Sequence, residues 1–346
     1  MKNHKYLIVI LLFFLACNSP KIADNHKRSM YIWTANTNFS DEDMIFFREN
    51  NIKNVYIRFF DVDWNSLHGE VPISIQNFNG FIYDDFNIIP VIFIKNEVFK
   101  ELETENLDEF ANKLHYKIDT IFSLYFKNRD RKIQEIQLDC DWTETTKDKY
   151  FELIKILKTK FENVEISVTI RLHQIKYQEK TGVPPAHKGV LMYYNMGNFL
   201  DPQEPNSILN NEIGKQYIDE NSTYPLELSL ALPIYSWSLW YQWGEFEKIM
   251  YDINIANADT LDFLYEIENN THNKFYEVNK DTYYNDKYFR AGDIIKLEII
   301  TVEEIEKAKE ICKYLIKSDA EIILFSYSSQ NSNLIKDKKN INKIYK

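Results

Sequence analysis

The strongest candidate for chemistry is a pair of aspartates, Asp139 and Asp141, separated by one residue. They lie in the stretch 133–143, where apolar and polar residues alternate as is typical of a β-strand. The two carboxylates would project from one face of the strand, with Cα atoms roughly 6.5–7 Å apart. Carboxylates this close repel, so one should have a raised pKa and act as a general acid beside a charge stabiliser. An alternative stays open, in which Arg58 and Arg171 neutralise both carboxylates in a structural ion network.

Two other stretches, 54–61 and 164–173, show the same alternation. Each has one apolar face and one face of charged or hydrogen-bonding groups, which include Asp61 and His173. Such strands are typical of a parallel barrel whose apolar side meets helices and whose lumen carries the site at the strand ends.

Eight strand-like runs separated by mostly helical patterns predict an α/β fold, a (β/α)8 TIM barrel over residues 30–346. The runs are 30–35, 54–60, 88–94, 133–141, 164–171, 190–195, 227–232 and 321–326. The segment 233–292 is too long for one loop and one helix, so it predicts an insertion between strands 7 and 8 on the top face. The first strand lacks the glycine-rich turn of a dinucleotide fold.

Tryptophan placement favours a carbohydrate ligand. Five of the six tryptophans fall at or just beyond predicted strand ends, namely Trp64, Trp142, Trp237, Trp240 and Trp243. Flat rings at the rim of a polar cleft suit stacking on sugar faces. We expect Trp64 and Trp142 to contact the ligand. Trp237, Trp240 and Trp243 lie three apart and could form one helical face packed on the barrel, although Trp237 is also a candidate for binding.

The N-terminus has the pattern of a bacterial lipoprotein. Lys2 and Lys5 precede an apolar run that is too short to span a membrane, so residues 1–16 predict a signal peptide. Cys17 follows Ala16 as in a lipobox, which implies a lipid on its thiol, and residues 17–29 predict a polar tether. We expect a membrane-anchored envelope lipoprotein, at the outer membrane.

The remaining composition limits the partners. The net charge of −11 and the scattered lysines argue against nucleic acid or an anionic polysaccharide as the main ligand. No Cys/His spacing indicates zinc, so we predict neither a metal nor a cofactor.

Two motifs resemble those of family 18 glycoside hydrolases, the chitinases and their relatives. Gln137-Leu138-Asp139-Cys140-Asp141-Trp142 is similar to the fourth-strand motif Asp-x-Asp-x-Glu of that family, and Met192-Tyr193-Tyr194-Asn195 is similar to its sixth-strand Met-x-Tyr-Asp. The chain also resembles bacterial lipoproteins assigned to such barrels. Gln137, Asp141 and Asn195 stand where the family has Asp, Glu and Asp.

The resemblance implies roles for three residues. Asp141 would be the acid that protonates the leaving oxygen, Asp139 would orient the substrate's acetamide, and Tyr194 would hydrogen-bond it. The remaining candidates for binding are Arg58, Asp61, Trp64, Gln137, Trp142, Arg171, His173, Asn195 and Trp237.

Three hypotheses follow: an envelope-anchored glycoside hydrolase, a non-catalytic carbohydrate-binding lipoprotein, and a metal-dependent hydrolase. The last would use Asp61, Asp63, Asp139, Asp141 and His173 as ligands of a hard metal.

Overall fold

The structure is a computed structural model that describes residues 26–34, 36–37, 40–78, 86–126, 132–270, 272–328 and 333–346. The predicted signal peptide and Cys17 lie outside the described residues. The first strand begins at Arg28, so the barrel starts two residues before the predicted boundary at residue 30.

The described residues form the following strands, given in chain order: β1 (Arg28–Ile32), β2 (Asn36–Thr37), β3 (Asn54–Asn65), β4 (Gly69–Ile73), β5 (Asn77–Phe78), β6 (Asn87–Ile94), β7 (Glu135–Asp139), β8 (Glu165–Arg171), β9 (Lys188–Met192), β10 (Leu228–Pro233), β11 (Trp237–Gln242), β12 (Glu245–Met250), β13 (Leu264–Asn269), β14 (Asn273–Val278), β15 (Thr282–Tyr284), β16 (Lys287–Phe289), β17 (Ile294–Glu298) and β18 (Ile322–Phe325).

Eight of these strands close into a parallel barrel in the order β1-β3-β6-β7-β8-β9-β10-β18, and β18 pairs back with β1. They correspond one to one with the eight predicted runs. The predicted (β/α)8 fold with an insertion between strands 7 and 8 is therefore confirmed. β3 continues beyond the barrel and forms an antiparallel hairpin with β4.

Helices lie between most of the barrel strands and pack against the outside of the sheet. They are α1 (Asp41–Glu49), α2 (Asn96–Glu101), α3 (Leu107–Tyr125), α4 (Lys147–Lys160), α5 (Leu172–Lys176), α6 (Gln178–Thr181), α7 (Asn211–Gly214), α8 (Val302–Cys312), α9 (Asn333–Lys336) and α10 (Lys338–Ile344). α1 begins with a capping box in which the Ser40 hydroxyl and the Asp43 carboxylate each accept a backbone N–H. In the described part of the chain, none of the helices combines the length and apolarity that crossing a membrane needs.

The alternation of β7 places its two faces in different layers. Ile136, Leu138 and Cys140 are fully buried in the outer core between sheet and helices. Gln137 and Asp139 point into the lumen, where Tyr31 hydrogen-bonds Gln137. β7 therefore has the predicted orientation, which places Asp139 at the mouth of the barrel.

The lower end of the lumen holds a buried ion cluster. Lys188 at the start of β9 forms ion pairs with Glu135 (2.6 Å) and Glu321 (3.4 Å), and Tyr56 donates a hydrogen bond to both carboxylates. Burial raises the pKa of Glu135. Burial acts in the same direction on Glu321, but Lys188 and the hydroxyl of Ser29 outweigh it and lower the pKa of Glu321.

The insertion is an antiparallel sheet in the order β12-β11-β17-β14-β13, accompanied by the β15–β16 hairpin. It has its own apolar core, which contains Trp240, Met250, Tyr276 and Ile295. The sheet extends to Glu298, beyond the predicted end of the insertion at residue 292. The helical face proposed for Trp237, Trp240 and Trp243 is wrong, because these residues lie on β11 and in the turn after it.

Candidate functional site

The candidate site lies where β7, β8 and β9 end. Because the strands of the barrel are parallel, their carboxyl ends meet at one rim, and this is where such barrels carry their sites. β7 ends at Asp139, β8 ends at Arg171, and Tyr194 follows the end of β9.

Asp139 is the buried member of the aspartate pair and is only 3% exposed. The Thr169 hydroxyl on the neighbouring strand donates a hydrogen bond of 2.6 Å to its carboxylate. Burial raises the pKa of Asp139, Arg171 acts in the opposite direction, and Asp141 adds to the rise. The predicted raised pKa therefore falls on Asp139.

Asp141 is the accessible member of the pair, with its side chain 51% exposed. Arg171 donates to both of its oxygens, from Nε at 2.6 Å and from Nη2 at 3.5 Å. Burial alone would lower the pKa of Arg171, but the charges of Asp139 and Asp141 outweigh it and raise that pKa. The Arg171 side of the predicted ion network is present, whereas Arg58 pairs with Asp61.

A second polar group lies at the end of β3. The Arg58 guanidinium forms an ion pair with Asp61, and its carbon is 5.2 Å from the centre of the Trp33 ring. Asp63 forms an ion pair with Lys95, whose hydrogen bond lowers the pKa of Asp63. Across the described ranges there is no group of three or more His, Cys, Asp or Glu side chains that could hold a metal ion, so the geometry lends no support to the metal-dependent alternative.

Aromatic side chains fill the centre of the mouth around Phe325. The Phe325 ring stacks on Tyr194 at a centroid distance of 4.4 Å, and Tyr31, Trp33 and Tyr235 surround it at 5.5, 5.6 and 5.9 Å. We call these five residues the aromatic floor. Tyr31 and Tyr194 are buried, whereas Trp33, Tyr235 and Phe325 remain partly exposed to a ligand.

Three of the polar candidates lie beside this floor. Asn195 accepts a hydrogen bond from the Tyr235 hydroxyl. The Tyr194 hydroxyl donates to the Met192 sulfur at 3.2 Å, and burial raises the pKa of Tyr194. Gln137 accepts a hydrogen bond of 2.5 Å from Tyr31, and its Nε2 is a buried donor with no partner among the described residues.

A cavity of about 510 Å³ opens next to the aspartate–arginine pair. It is lined by Asp141, Arg171, Leu172, His173, Met192, Tyr194, Asn195, Met196 and Tyr217. His173 is exposed in the first turn of α5, and partial burial lowers its pKa while Asp141 opposes that effect. Predicted site residues at the ends of β7, β8 and β9 thus line one cavity.

Two tryptophans were wrongly predicted to contact a ligand. Trp142 is fully buried in the outer core, stacks on Tyr150 at 5.2 Å, and donates its indole N–H to the Thr181 carbonyl. Trp64 packs against the same core, on the other side of β3 from Asp63. Both follow the outward register of their strands, so neither faces the mouth.

Trp237 has a different position from those two. It lies at the start of β11, its ring is 5.6 Å from that of Tyr235, and its indole N–H donates to the buried carboxylate of Glu298. This places Trp237 at the edge of the aromatic floor.

Of the five floor residues, only Tyr194 was among the predicted site residues, and Trp33 and Phe325 are two of those that the sequence analysis missed. The strand register contains the signal for both. Tyr31 and Trp33 alternate with outward Met30 and Ile32, and Phe325 is the inward residue after Ile323. Trp33, the sixth tryptophan and not one of the five singled out, therefore belongs to the aromatic floor itself.

Comparisons with known proteins identify the fold. The chain is similar in structure to the spore cortex-lytic enzyme SleL of Bacillus cereus, with a TM-score of 0.51 and 9% identity over 93% of this chain and 75% of that one. It is also similar to a chitinase from Chromobacterium violaceum, with a TM-score of 0.50 and 10% identity over 92% and 98% of the two chains.

No family model matches the sequence, and no curated protein matches it. At such low identity the likeness establishes the fold alone. The chain has the TIM-barrel fold of the family 18 glycoside hydrolases, as the motif resemblance predicted.

Proposed function

We propose that the protein binds a glycan across the mouth of the barrel. The observation that carries this proposal is the aromatic floor, which presents partly exposed rings of Trp33, Tyr235 and Phe325 beside a polar cavity. Aromatic faces attract the apolar C–H faces of sugar rings, and a few directed polar groups then fix the orientation of the sugar.

The polar groups at the mouth suit the hydroxyl and amide groups of a sugar. The exposed Asn195 side chain offers an amide, and His173 an imidazole. Arg171 and Asp141 lie at one edge of the cavity, and their own ion pair uses two of the five guanidinium N–H groups, so three further donors remain together with the other lone pairs of the carboxylate. A chito-oligosaccharide or a peptidoglycan-derived glycan has both the apolar C–H faces and the polar hydroxyl and amide groups that this site would contact.

Recognition fits the geometry of Asp141 better than hydrolysis does. Both of its oxygens lie within hydrogen-bonding distance of the Arg171 guanidinium, so the ion pair has to open before Asp141 can act on a leaving oxygen. Aspartate is also one methylene shorter than the glutamate of the related motif, which limits its reach.

Hydrolysis is the second candidate, and the raised pKa of the buried Asp139 next to Asp141 favours it. In this mechanism a bound glycan displaces Arg171 from Asp141. Asp139, whose raised pKa lets it hold a proton, passes that proton to Asp141, which donates it to the leaving oxygen as the glycosidic bond breaks. The acetamide oxygen of the substrate, oriented by Asp139 and hydrogen-bonded by Tyr194, forms the new bond to the anomeric carbon and is later displaced by water.

The test of binding uses the soluble protein without its first 25 residues and a panel of chito-oligosaccharides and peptidoglycan fragments, with affinities measured by calorimetry. Replacing Trp33 with Ala should weaken binding by about tenfold or more, since stacking on an aromatic ring contributes roughly 1 kcal/mol or more beyond area burial. Trp243→Ala is the control, because Trp243 is 81% exposed in the insertion. Equal affinities for the two variants, or no binding by the parent, would remove the proposal.

Asp141→Asn separates the two candidates. The variant should bind glycan with an affinity within a few-fold of the parent, because the amide keeps its shape and one acceptor oxygen. If the protein is a hydrolase, the variant should release product at least about a hundredfold more slowly than the parent, because general-acid catalysis contributes that much to the rate. Product release that is unchanged in the variant would exclude Asp141 as the acid.

We further propose that this site operates at the bacterial envelope, held there by a lipid on Cys17. The lipobox-like sequence supports the proposal. Cells fed a labelled fatty acid should label the full chain and should leave Cys17→Ser unlabelled and released from the membrane fraction. Outer-membrane placement is tested by separating the two membranes on a density gradient.

A further inference from the structure

The insertion contacts the rim of the barrel through a buried carboxylate, Glu298, at the end of β17. Its side chain is fully buried, and so is that of Lys296, whose Nζ lies 2.8 Å from one Glu298 oxygen. Lys296 also donates to the backbone carbonyl of Glu204, in the segment that follows β9. A buried ion pair needs several hydrogen bonds to offset desolvation, so its partners are held closely.

The other oxygen of Glu298 accepts three hydrogen bonds from two separate parts of the chain. The backbone N–H and the hydroxyl of Ser207 donate at 3.0 and 2.5 Å, and the Trp237 indole N–H donates at 2.8 Å. One carboxylate therefore fixes both the rim segment around Ser207 and the first residue of β11.

Both of these parts lead directly to the candidate site. Beside Ser207, the Ile208 carbonyl accepts the backbone N–H of Asn195 at 2.7 Å. On the other side, the Trp237 ring packs edge to face against Tyr235, whose hydroxyl donates to the Asn195 side chain. These contacts thus form a closed ring of interactions that begins and ends at Glu298.

We propose that Glu298 is a positioning residue for glycan binding, which sets the places of Trp237 and Asn195 at the mouth of the barrel. The inference rests on the proposed function. It makes the insertion part of the binding site, because the carboxylate that orients Trp237 and Asn195 belongs to the insertion.

Asp293, which also belongs to the insertion, provides a matched control. It is also buried and accepts the indole N–H of a tryptophan, Trp240, together with hydrogen bonds from Gln242 and the backbone of Arg290. Asp293 precedes β17, whereas Glu298 ends it, so the two carboxylates lie at opposite ends of that strand.

The experiment compares Glu298→Gln with Asp293→Asn for affinity toward the chito-oligosaccharide and peptidoglycan panel and for hydrogen exchange of backbone amides. Glu298→Gln should weaken binding by about tenfold, as expected for a disturbed hydrogen bond to a charged group, and should speed exchange at residues 195–208. Asp293→Asn should leave both quantities unchanged. Trp237→Phe keeps an aromatic side chain but removes the N–H donor to Glu298, and it should give a smaller loss in the same direction, even if Glu298→Gln fails to fold.

Equal losses of affinity in Glu298→Gln and Asp293→Asn would mean general destabilisation and would overturn the inference. Unchanged exchange at residues 195–208 in Glu298→Gln would also overturn it. If the parent binds no glycan of the panel, the proposed function fails, and the exchange data alone then decide whether Glu298 positions the rim.

Discussion

Arg171 lies between two aspartates whose surroundings differ. Asp139 is buried and receives a hydrogen bond from Thr169, whereas Asp141 is half exposed and receives its hydrogen bonds from Arg171 itself. A ligand can replace water around Asp141 without exposing Asp139. Under the proposed function, we therefore expect Asp141 to exchange partners when a glycan binds and Asp139 to stay in place.

Trp142 illustrates how burial separates a structural residue from a binding residue. We expect Trp142→Phe to lower the free energy of unfolding by about 1–3 kcal/mol, because it removes a buried hydrogen bond to Thr181 and leaves a small cavity. Glycan affinity should be unchanged. Urea denaturation and calorimetry measure the two effects, and a loss of affinity at unchanged stability would contradict the assignment.

The inward residues could be predicted from the sequence because a strand has a strict period of two. That rule correctly places Gln137 and Asp139 in the lumen, and it also places Trp142 outside, against the ligand role that its rim position indicated. Trp33 and Phe325 follow the same rule, but they lie inside the predicted strands and not at the strand ends, where ligand contacts were expected. The Asp141–Arg171 pair depends on the exact reach of two side chains, which spacing alone does not determine.

At the scale of elements, the rim segment after β9 is folded back on itself at Gly197. The Gly197 N–H donates to the Ser207 carbonyl, and a Cβ at position 197 would lie 2.7 Å from the Ser207 Cα. Two backbone stretches approach this closely only where a side chain is missing. Gly197 thereby allows the segment that carries Asn195 to reach Glu298.

Gly197→Ala should weaken glycan binding several-fold and lower the free energy of unfolding by about 1–3 kcal/mol, because overpacking pushes the two stretches apart. Gly189→Ala is a suitable control. Its added Cβ would lie 2.7 Å from Leu228 and 2.9 Å from Ile170, at the lower end of the barrel. The control should lose stability but keep its affinity, and a similar loss of affinity in both variants would refute the role of Gly197.

The barrel strands were predictable and the insertion strands were not. Each barrel strand has a long apolar face that meets helices, so its alternation is clear in the sequence. In β11 a bulge between Trp240 and Tyr241 interrupts the pairing, and Trp243 takes a positive φ in the turn. The spacing of three between the tryptophans is typical of a helix, but here the chain carries them on a strand with a bulge and in the turn that follows it.

At the scale of the whole molecule, the lower ion cluster should make stability depend on pH. Glu321 has a lowered pKa, so its contribution is present above its ordinary pKa and is lost as the pH falls through its folded value. Glu135 has a raised pKa and acts in the opposite sense. Lys188 has a raised pKa despite its burial, because both glutamates favour its charged form.

Lys188→Met should lower the free energy of unfolding at neutral pH by about 3–5 kcal/mol, since it leaves two buried carboxylates without a cation. The difference from the parent should shrink as the pH falls to about 4, where the carboxylates take up protons. Urea denaturation across this range measures it. Lys215→Met, which removes an exposed pair with Glu212, should have little effect at any pH, and a constant difference for Lys188→Met would contradict the pH argument.

The lumen is filled in layers from the ion cluster at Glu135 and Glu321, through Tyr31 and Gln137, up to the ring of Phe325. A polysaccharide therefore meets a blind end and cannot be threaded through the protein. Under the proposed function, it would lie across the opening, against the partly exposed rings of the aromatic floor. Internal stretches of a long polymer would then be as accessible to this protein as its ends.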